Sequence, residues 1–338
     1  MREATVAAEM LVGVGDGPGI KLALQQSGLL TAAFRVAHQA PDPRDLLRCL
    51  VTIGQADLSA GRIFEGHVNA VKLLLLHDAP ASSDEHYGLY GIWGADGSSP
   101  VRIEDRRLRG YKLFASGADI LDHVILSATT EEGIQLLLVP TSSLQDRLYP
   151  EEWRMSGMHA TASGRCDLEG LSLDHAVFLG EPGAYLQEPY FQGGVWRYAA
   201  VQLGAMQALT AITRDQLRRR DQLGAPIQLM RLKAMTLACE TVRLWLEQAA
   251  LATERVDAVE GDSLSSIFAR LQTQQEAMKV LGLADEAMGA ASFAIGHPAE
   301  KIRRDLGLYL RQANPDGMAL DAMQRLLASQ ELSSRWIP

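Results

Sequence analysis

The chain has 338 residues, 47% of them apolar and 22% charged, the balance of a folded protein with room for two or three domains rather than of a disordered one. Lysine and arginine number 32 against 41 aspartates and glutamates, a net charge of −9 that argues against a dedicated nucleic-acid binder. Cys49, Cys166 and Cys239 lie far apart without CxxC spacing, and no uncharged run is long enough to span a bilayer; a disulfide framework, a metal site and a membrane span are therefore not expected, and the reading is a cytoplasmic protein.

Residues 12–20 read VGVGDGPGI. No register satisfies G-x-G-x-x-G, so a flexible loop is expected there and not a phosphate cradle. From 43 to about 76 the pattern turns helical, with Leu46, Leu47, Leu50 and Ile53, then Leu58, Ile63, Val68, Val71 and Leu75. Residues 57–59 and 62–67 are expected between these helices or at their ends. Residues 1–78 are thus a short N-terminal helical domain.

Between 79 and about 180, Pro, Gly, Ser and Asp punctuate short apolar runs at 87–93, 123–128, 134–139 and 176–179. This predicts a small β-barrel or sandwich over 79–184. No amphipathic stretch separates the runs, which disfavours parallel strands joined by helices. After Pro189 the chain is helical to its end. Ile227, Met230, Ala234, Leu237, Thr241, Leu244 and Leu251 fall on one stripe. Leu264, Ile267, Leu271, Gln274, Met278, Leu281 and Met288 form a second. Both stripes are read as the inward faces of long bundle helices over 185–338.

Four stretches carry residues with chemical potential. Residues 109–118, RGYKLFASGA, hold Phe114 and Ser116 two apart; a flat ring wants an aromatic wall and its polar edge a small donor, although an edge strand closing in a glycine turn reads the same way. Residues 155–164, MSGMHATASG, are a run of small side chains that lets backbone pack closely; His159 in that turn is read as structural. Residues 220–227, RDQLGAPI, offer the guanidinium of Arg220, whose fork suits a phosphate. They also read as a turn, with Gly224 as helix C-cap and Pro226 opening the next helix. Residues 297–316, HPAEKIRRDLGLYLRQANPD, start at a turn, run through a charged helix and stop at a proline. A helix broken so abruptly can aim one residue into a neighbouring cavity.

Together these stretches resemble the acyl-CoA dehydrogenases. Pro298, Glu300, Lys301, Arg304, Asp305 and Tyr309 match the helix that leads to the family's catalytic glutamate. Residues 109–118 are similar to its flavin-facing strand, 155–164 to its Gly-Met-Arg-x-Thr-x-Ser segment, and 220–227 to its Arg-x-Gln-Phe-Gly-x-Pro-Ile motif. The resemblance runs from about 60 to 327. It implies an α+β multidomain fold: a short helical N-terminal domain, a middle β-barrel domain and an up-and-down helical bundle.

The same resemblance implies FAD, an acyl-CoA or other acyl substrate, an electron-transfer partner, and a homodimer or homotetramer built through the bundle. It places Phe114 and Ser116 against the flavin. Arg220, with Gln222 and with Leu223 where an aromatic is usual, would reach the pyrophosphate of a neighbouring subunit's cofactor. Ala313 falls on the position of the catalytic glutamate, and Asp316, three residues on, is the alternative base. The family's early Thr-Glu-Pro…Gly-Ser-Asp stretch reads Gly91 to Gly97 here, where Trp93 is either a flavin wall or a core strand residue. The expected activity is an FAD-dependent oxidoreductase of the acyl-CoA dehydrogenase type. A flavin monooxygenase or oxidase of the same fold, or a non-catalytic flavin- or acyl-binding relative, stand as alternatives.

Overall fold

Among the described residues five helices come first: α1 (Arg2–Met10), α2 (Gly17–Gln26), α3 (Leu29–Gln39), α4 (Arg44–Ala56) and α5 (Leu58–Leu76). The computed structural model describes residues 1–39, 42–79, 88–312 and 314–337, the side chains of 38 and 39 excepted. It divides after Gln187 into two units.

The glycine-rich stretch is a loop only as far as Asp16. The Asp16 carboxylate accepts from the Gly19 backbone at 2.8 Å, and Pro18 in the first turn presets the backbone, so a helix starts at Gly17 in spite of its glycines. Asp57 caps α5 in the same way, accepting from Ala60 at 2.8 Å. Residues 62–67, expected at a helix end, lie inside α5 and are largely buried. They can be helical there because Arg62 donates to Glu65 one turn on, at 2.8 Å, so the buried carboxylate is matched locally.

Among the described residues nine strands follow: β1 (Tyr90–Trp93), β2 (Arg102–Glu104), β3 (Arg107–Arg109), β4 (Tyr111–Lys112), β5 (His123–Thr130), β6 (Gly133–Pro140), β7 (Leu148–Tyr149), β8 (Arg165–Asp167) and β9 (Val177–Leu179). One sheet runs β3-β2-β5-β6-β9, with β1 also on β5, and a second runs β4-β8-β7. β5 and β6 form a hairpin closed at Thr130 and Gly133. β1 lies parallel to β5, with Tyr90 beside His123 and Trp93 beside Leu126. The sequence disfavoured parallel strands joined by helices, and no helix links these two. The excursion through β2, β3 and β4 supplies the length that a crossover needs. Ala70 and Leu74 of α5 share a core with Tyr90, Ile125, Leu136, Leu138 and Leu179, so the N-terminal helices and the sheet form one unit.

The second unit contains α6 (Trp196–Arg219), α7 (Pro226–Thr253), α8 (Ser263–Met288), α9 (Pro298–Tyr309), α10 (Pro315–Ala328) and α11 (Gln330–Trp336). Here α6, α7 and α8 pack on one another. Of the expected α8 stripe, Leu264, Ile267, Leu281 and Met288 are buried. On α7 the expectation reverses. Met235, Ala238, Cys239, Val242, Leu246 and Ala249 are the buried face, while Ile227, Met230, Leu237, Leu244 and Leu251 are exposed. Small residues let α7 sit close to its neighbours, and the large ones are left outside.

The turn from α6 to α7 also differs from its expectation. Asp221 takes the left-handed conformation at φ 54, and Gly224 does not. Gln222 donates to Leu217 at 2.9 Å and Asp221 to Arg218 at 3.1 Å, the paired bonds that close a helix C-terminus.

Candidate functional site

In the first unit, the segment after β4 is built on a buried lysine. Lys112 is closed off from solvent and donates to Asp96 at 2.5 Å and to Ser127 at 3.0 Å. Burial pulls its amine below the usual range, with the hydrogen bond and charge of Asp96 opposing. Two residues on, Phe114 stands at φ 53. A bulky side chain in the left-handed region costs on the order of 1–2 kcal/mol, so the surroundings must hold it there. Its ring is 57% exposed and meets Trp153 edge to face, at 6.2 Å and 88°.

Ser116 is fixed from two sides. Its carbonyl accepts from the indole N–H of Trp93 at 3.0 Å, and its hydroxyl lies 2.9 Å from that of Ser163. The Thr161, Ser163 and Ser116 hydroxyls bring three protons to the three close contacts that run to the Met158 carbonyl, so what Ser116 keeps for an outside group is a lone pair. Ser163 lies 2.7 Å from Thr161, which lies 2.7 Å from the Met158 carbonyl, forming a row of hydroxyls. Met158 at φ 57 and Ala162 at φ 44 bracket the Thr161 turn, so three non-glycine residues of this small region are left-handed. Strained backbone of this kind gathers where a site must be held in one shape.

Trp153 donates to the Met158 carbonyl at 2.9 Å, and the His159 ring bonds the Met155 carbonyl at 2.6 Å, in keeping with the structural reading of His159. The patch therefore presents Phe114, Trp153 and the exposed Met155 beside one outward hydroxyl. This is what a flat ring with a polar edge needs, and the residues fit a flavin ring. Trp93 is placed differently from a flavin wall. Its ring is in the core, and it acts on the patch from behind, through the Ser116 carbonyl.

In the second unit, Arg220 ends α6, is exposed, and donates through Nη1 to the Met288 carbonyl at 3.0 Å. It closes the end of α8 with one N–H and keeps the rest of its fork. Gln222 is exposed and Leu223 half-buried. Ala313 lies outside the described residues. On its C-terminal side Asn314 caps α10, accepting from Gly317 at 3.2 Å. Asp316 is exposed on the first turn of α10, so the capping role falls to Asn314. Asp316 is the one carboxylate in sequence between Tyr309 and Gly317.

Arg270 was not singled out from the sequence. It is fully buried on α8 and holds the carbonyls of Leu310 and Gln312 at 2.7 and 3.3 Å, just before position 313. The available signal was an arginine on the apolar side of α8, three residues after Ile267. Among the described residues, no group of three His, Cys, Asp or Glu could hold a metal ion. No described helix is long and apolar enough to cross a membrane.

Residues 183–310 match the family model for the acyl-CoA dehydrogenase C-terminal domain. No curated protein matches the chain in sequence. The FMN-bound dibenzothiophene monooxygenase TdsC from Paenibacillus sp. A11-2 is similar over 97% of this chain and 98% of its own, with 17% identity and a TM-score of 0.79. A nitroalkane oxidase in complex with spermine is similar over 98% of this chain and 95% of its own, with 14% identity and a TM-score of 0.80. The methanesulfinate monooxygenase MsuC from Pseudomonas fluorescens is similar over 96% of this chain and 94% of its own, with 17% identity and a TM-score of 0.72. At these identities the likeness establishes the fold.

Proposed function

From the acyl-CoA dehydrogenase fold of this chain, and from the match of residues 183–310 to the model of that family's C-terminal domain, we propose that the protein is a flavin-dependent oxidoreductase. Within that class we propose that it reacts with oxygen, as a monooxygenase or oxidase, and does not dehydrogenate an acyl thioester. The observation that carries this reading is the loop around Ala313. The glutamate position holds a methyl group, and the neighbouring carboxylate, Asp316, is solvated on the first turn of α10. Removal of an α-proton depends on a positioned base, worth about 10²–10⁴-fold in rate.

A bound flavin would take two electrons from a donor and pass them to a second substrate. The chain's own residues would do the holding. Phe114 and Trp153 would form the apolar wall, and the Ser116 hydroxyl oxygen would accept from a ring N–H at the polar edge, with Ser163 and Trp93 fixing its orientation. Arg220 would meet a phosphate, a group that FAD and FMN share; FAD is the form proposed because residues 220–227, with Gln222 and Leu223 beside Arg220, resemble the motif that reaches the dinucleotide's pyrophosphate. A homo-oligomer and a cytoplasmic setting belong to the same proposal, the latter supported by three unpaired buried thiols.

The test has two steps. Apoprotein is titrated with FAD and with FMN, following flavin fluorescence. The loaded protein is then mixed anaerobically with straight-chain acyl-CoAs and, separately, reduced by dithionite and exposed to oxygen. Tight flavin binding, no bleaching by acyl-CoA and rapid reoxidation are expected. Rapid bleaching by an acyl-CoA would sink the oxygen reading, and absence of flavin uptake would sink both.

A further inference from the structure

The flavin reading leaves an aromatic recess of the second unit unused. Leu244, Trp245, Gln248, Arg335 and Trp336 line a cavity of about 380 Å³ beside α7 and α11, open to solvent. Small-molecule sites run from about 300 to 1,000 Å³ and combine apolar or aromatic walls with a few placed polar groups. We propose that this recess binds a planar aromatic molecule bearing a carboxylate. The proposal does not depend on the flavin reading.

The two indoles are set for stacking. Trp245 of α7 and Trp336 at the end of α11 are parallel to within 3°, with ring centroids 6.3 Å apart. Trp336 is held in place: Phe268 meets it edge to face at 5.0 Å and 79°, and it packs on the core of Leu264, Ile267, Ala322 and Leu326. Both indoles are only half-buried, and both line the recess. A flat π system laid parallel to the pair continues the stack, worth about 0.5–1.5 kcal/mol beyond the area it covers. An alkyl chain or a saturated ring gains the area alone.

Arg335 supplies the charge, and it is anchored before any ligand arrives. Its Nη1 donates to Asp262 at 3.0 Å, a carboxylate whose side chain is 3% exposed. Asp262 is fixed in turn, accepting from the Val259 N–H at 3.0 Å and from Arg255 at 2.8 Å. Among the described residues this is the hydrogen bond that Arg335 makes, so most of its five N–H groups remain for a ligand. A donor held in position in advance loses less freedom on binding.

The rest of the lining selects the sign of the ligand. Arg335 is the charged member of the lining, and the exposed Gln248 adds an amide. The nearest carboxylate in sequence, Glu247, already accepts from Arg243 at 2.6 Å. An anion is therefore met by a cation and an amide donor, with no lining carboxylate opposing it. A planar guanidinium pairs with a carboxylate through two parallel bonds. An aryl carboxylate is flat throughout, so its charge and its π face are met together.

The whole protein is titrated by calorimetry with three probes: 2-naphthoate, 2-naphthalenemethanol, which lacks the charge, and decahydro-2-naphthoate, which lacks the π face. 2-Naphthoate is expected to bind once per chain, and each of the other probes more weakly by about tenfold. Arg335→Gln should weaken 2-naphthoate about tenfold and leave the alcohol unchanged. Trp245→Leu should weaken both. Because Trp245 is half-buried, the exposed Gln248→Glu gives a second reading that does not disturb packing: it should weaken the acid by repulsion and spare the alcohol. No binding of 2-naphthoate, equal affinity for acid and alcohol, or an acid affinity that either Arg335→Gln or Gln248→Glu leaves unchanged would overturn the proposal. So would an affinity that declines as protein concentration is raised, since a second copy would then be filling the recess.

Discussion

Arg270 of α8 donates to the carbonyl of Leu310 at 2.7 Å, and this bond closes the C-terminus of α9. The last carbonyls of a helix have no partner within it, and a buried helix end must find them elsewhere. The same guanidinium bonds Gln312 at 3.3 Å and Gln274 at 3.1 Å and lies 5.4 Å from the Tyr198 ring. Among the described residues, carbonyls, an amide and a ring face therefore surround this buried cation. Replacing it strands the buried Leu310 carbonyl, at about 1–3 kcal/mol, and takes a partner from the half-buried Gln312 carbonyl and Gln274 amide. Arg270→Met is expected to lose on the order of 2–5 kcal/mol in urea unfolding and to speed amide exchange over 309–312. Arg270→Lys should recover only part, since an ammonium lacks the planar fork. Unchanged exchange in Arg270→Met would show that the loop does not lean on this side chain.

His67 sets an acid limit on stability. Its ring is buried between the Leu30 carbonyl at 3.1 Å and the Tyr90 N–H at 3.2 Å. The Tyr90 bond makes Nδ1 the acceptor, so Nε2 carries the proton. Burial pushes the pKa from the usual 6.5 down to about 4, against the Leu30 hydrogen bond. As pH falls below 6.5 the unfolded chain binds a proton that the folded chain refuses. The contribution of the neutral ring is therefore full above 6.5 and is lost progressively down to about pH 4. The slope is about 1.4 kcal/mol per pH unit, and on the order of 3 kcal/mol in all. His67→Phe is expected to be less stable at pH 7.5 but to lose less between pH 7 and 5, measured as urea midpoints. Equal pH slopes in the two proteins would refute the assignment.

Phe114 sets stability against binding. Its left-handed backbone costs about 1–2 kcal/mol, a penalty that glycine escapes. Phe114→Gly is expected to raise the melting temperature of the flavin-free protein by a few degrees. The same change removes the ring that faces Trp153, and flavin affinity should fall about tenfold or more. Differential scanning fluorimetry reads the first effect and fluorescence titration the second. A variant that gained stability and kept its affinity would remove Phe114 from the site.

Much of this fold was legible because period reports element type. The strands at 123–130 and 133–140 and the long helices after 196 fall where the short punctuated apolar runs and the three-four spacing put them. Direction was less legible. The α7 stripe has the period of a buried face, and nothing in Met230, Leu237, Leu244 and Leu251 says whether their neighbours belong to the same chain. Ala238, Cys239, Val242 and Ala249 carry the intrachain face instead, and small residues make a weaker hydropathy signal. The parallel β1–β5 pair escaped for another reason: its crossover consists of strands, and pattern rules look for a helix. At the candidate site, Phe114 and Ser116 were found as residue types in a motif. The Trp93, Thr161 and Ser163 contacts that orient Ser116 are separated from it by 23 to 47 residues and leave no local pattern. Arg270 was hidden in the same way, its partners lying 40 and 42 residues downstream.

Gly164 separates steric need from conformational need. A Cβ there would stand 1.8 Å from the Tyr149 carbonyl oxygen and 2.9 Å from the Pro150 Cα, both backbone atoms that cannot turn aside. Gly164 also accepts at its carbonyl from Ala115 at 2.9 Å, which ties it to the segment between Phe114 and Ser116. Overpacking a tight site costs about 1–3 kcal/mol when side chains can adjust, and here the obstacle is main chain. Gly164→Ala is thus expected to lose on the order of 3 kcal/mol or more and to weaken flavin binding, because Ser163 and Ala115 must shift with it. Gly170 is the control. It sits at φ 73 with nothing within 4 Å of an added Cβ, so Gly170→Ala meets only the left-handed penalty of about 1 kcal/mol. Urea unfolding of the two variants side by side checks the contrast. If Gly164→Ala cost no more than Gly170→Ala, the close approach of 164 to Tyr149 would not be part of the native structure, and the tie to Phe114 and Ser116 would fall with it.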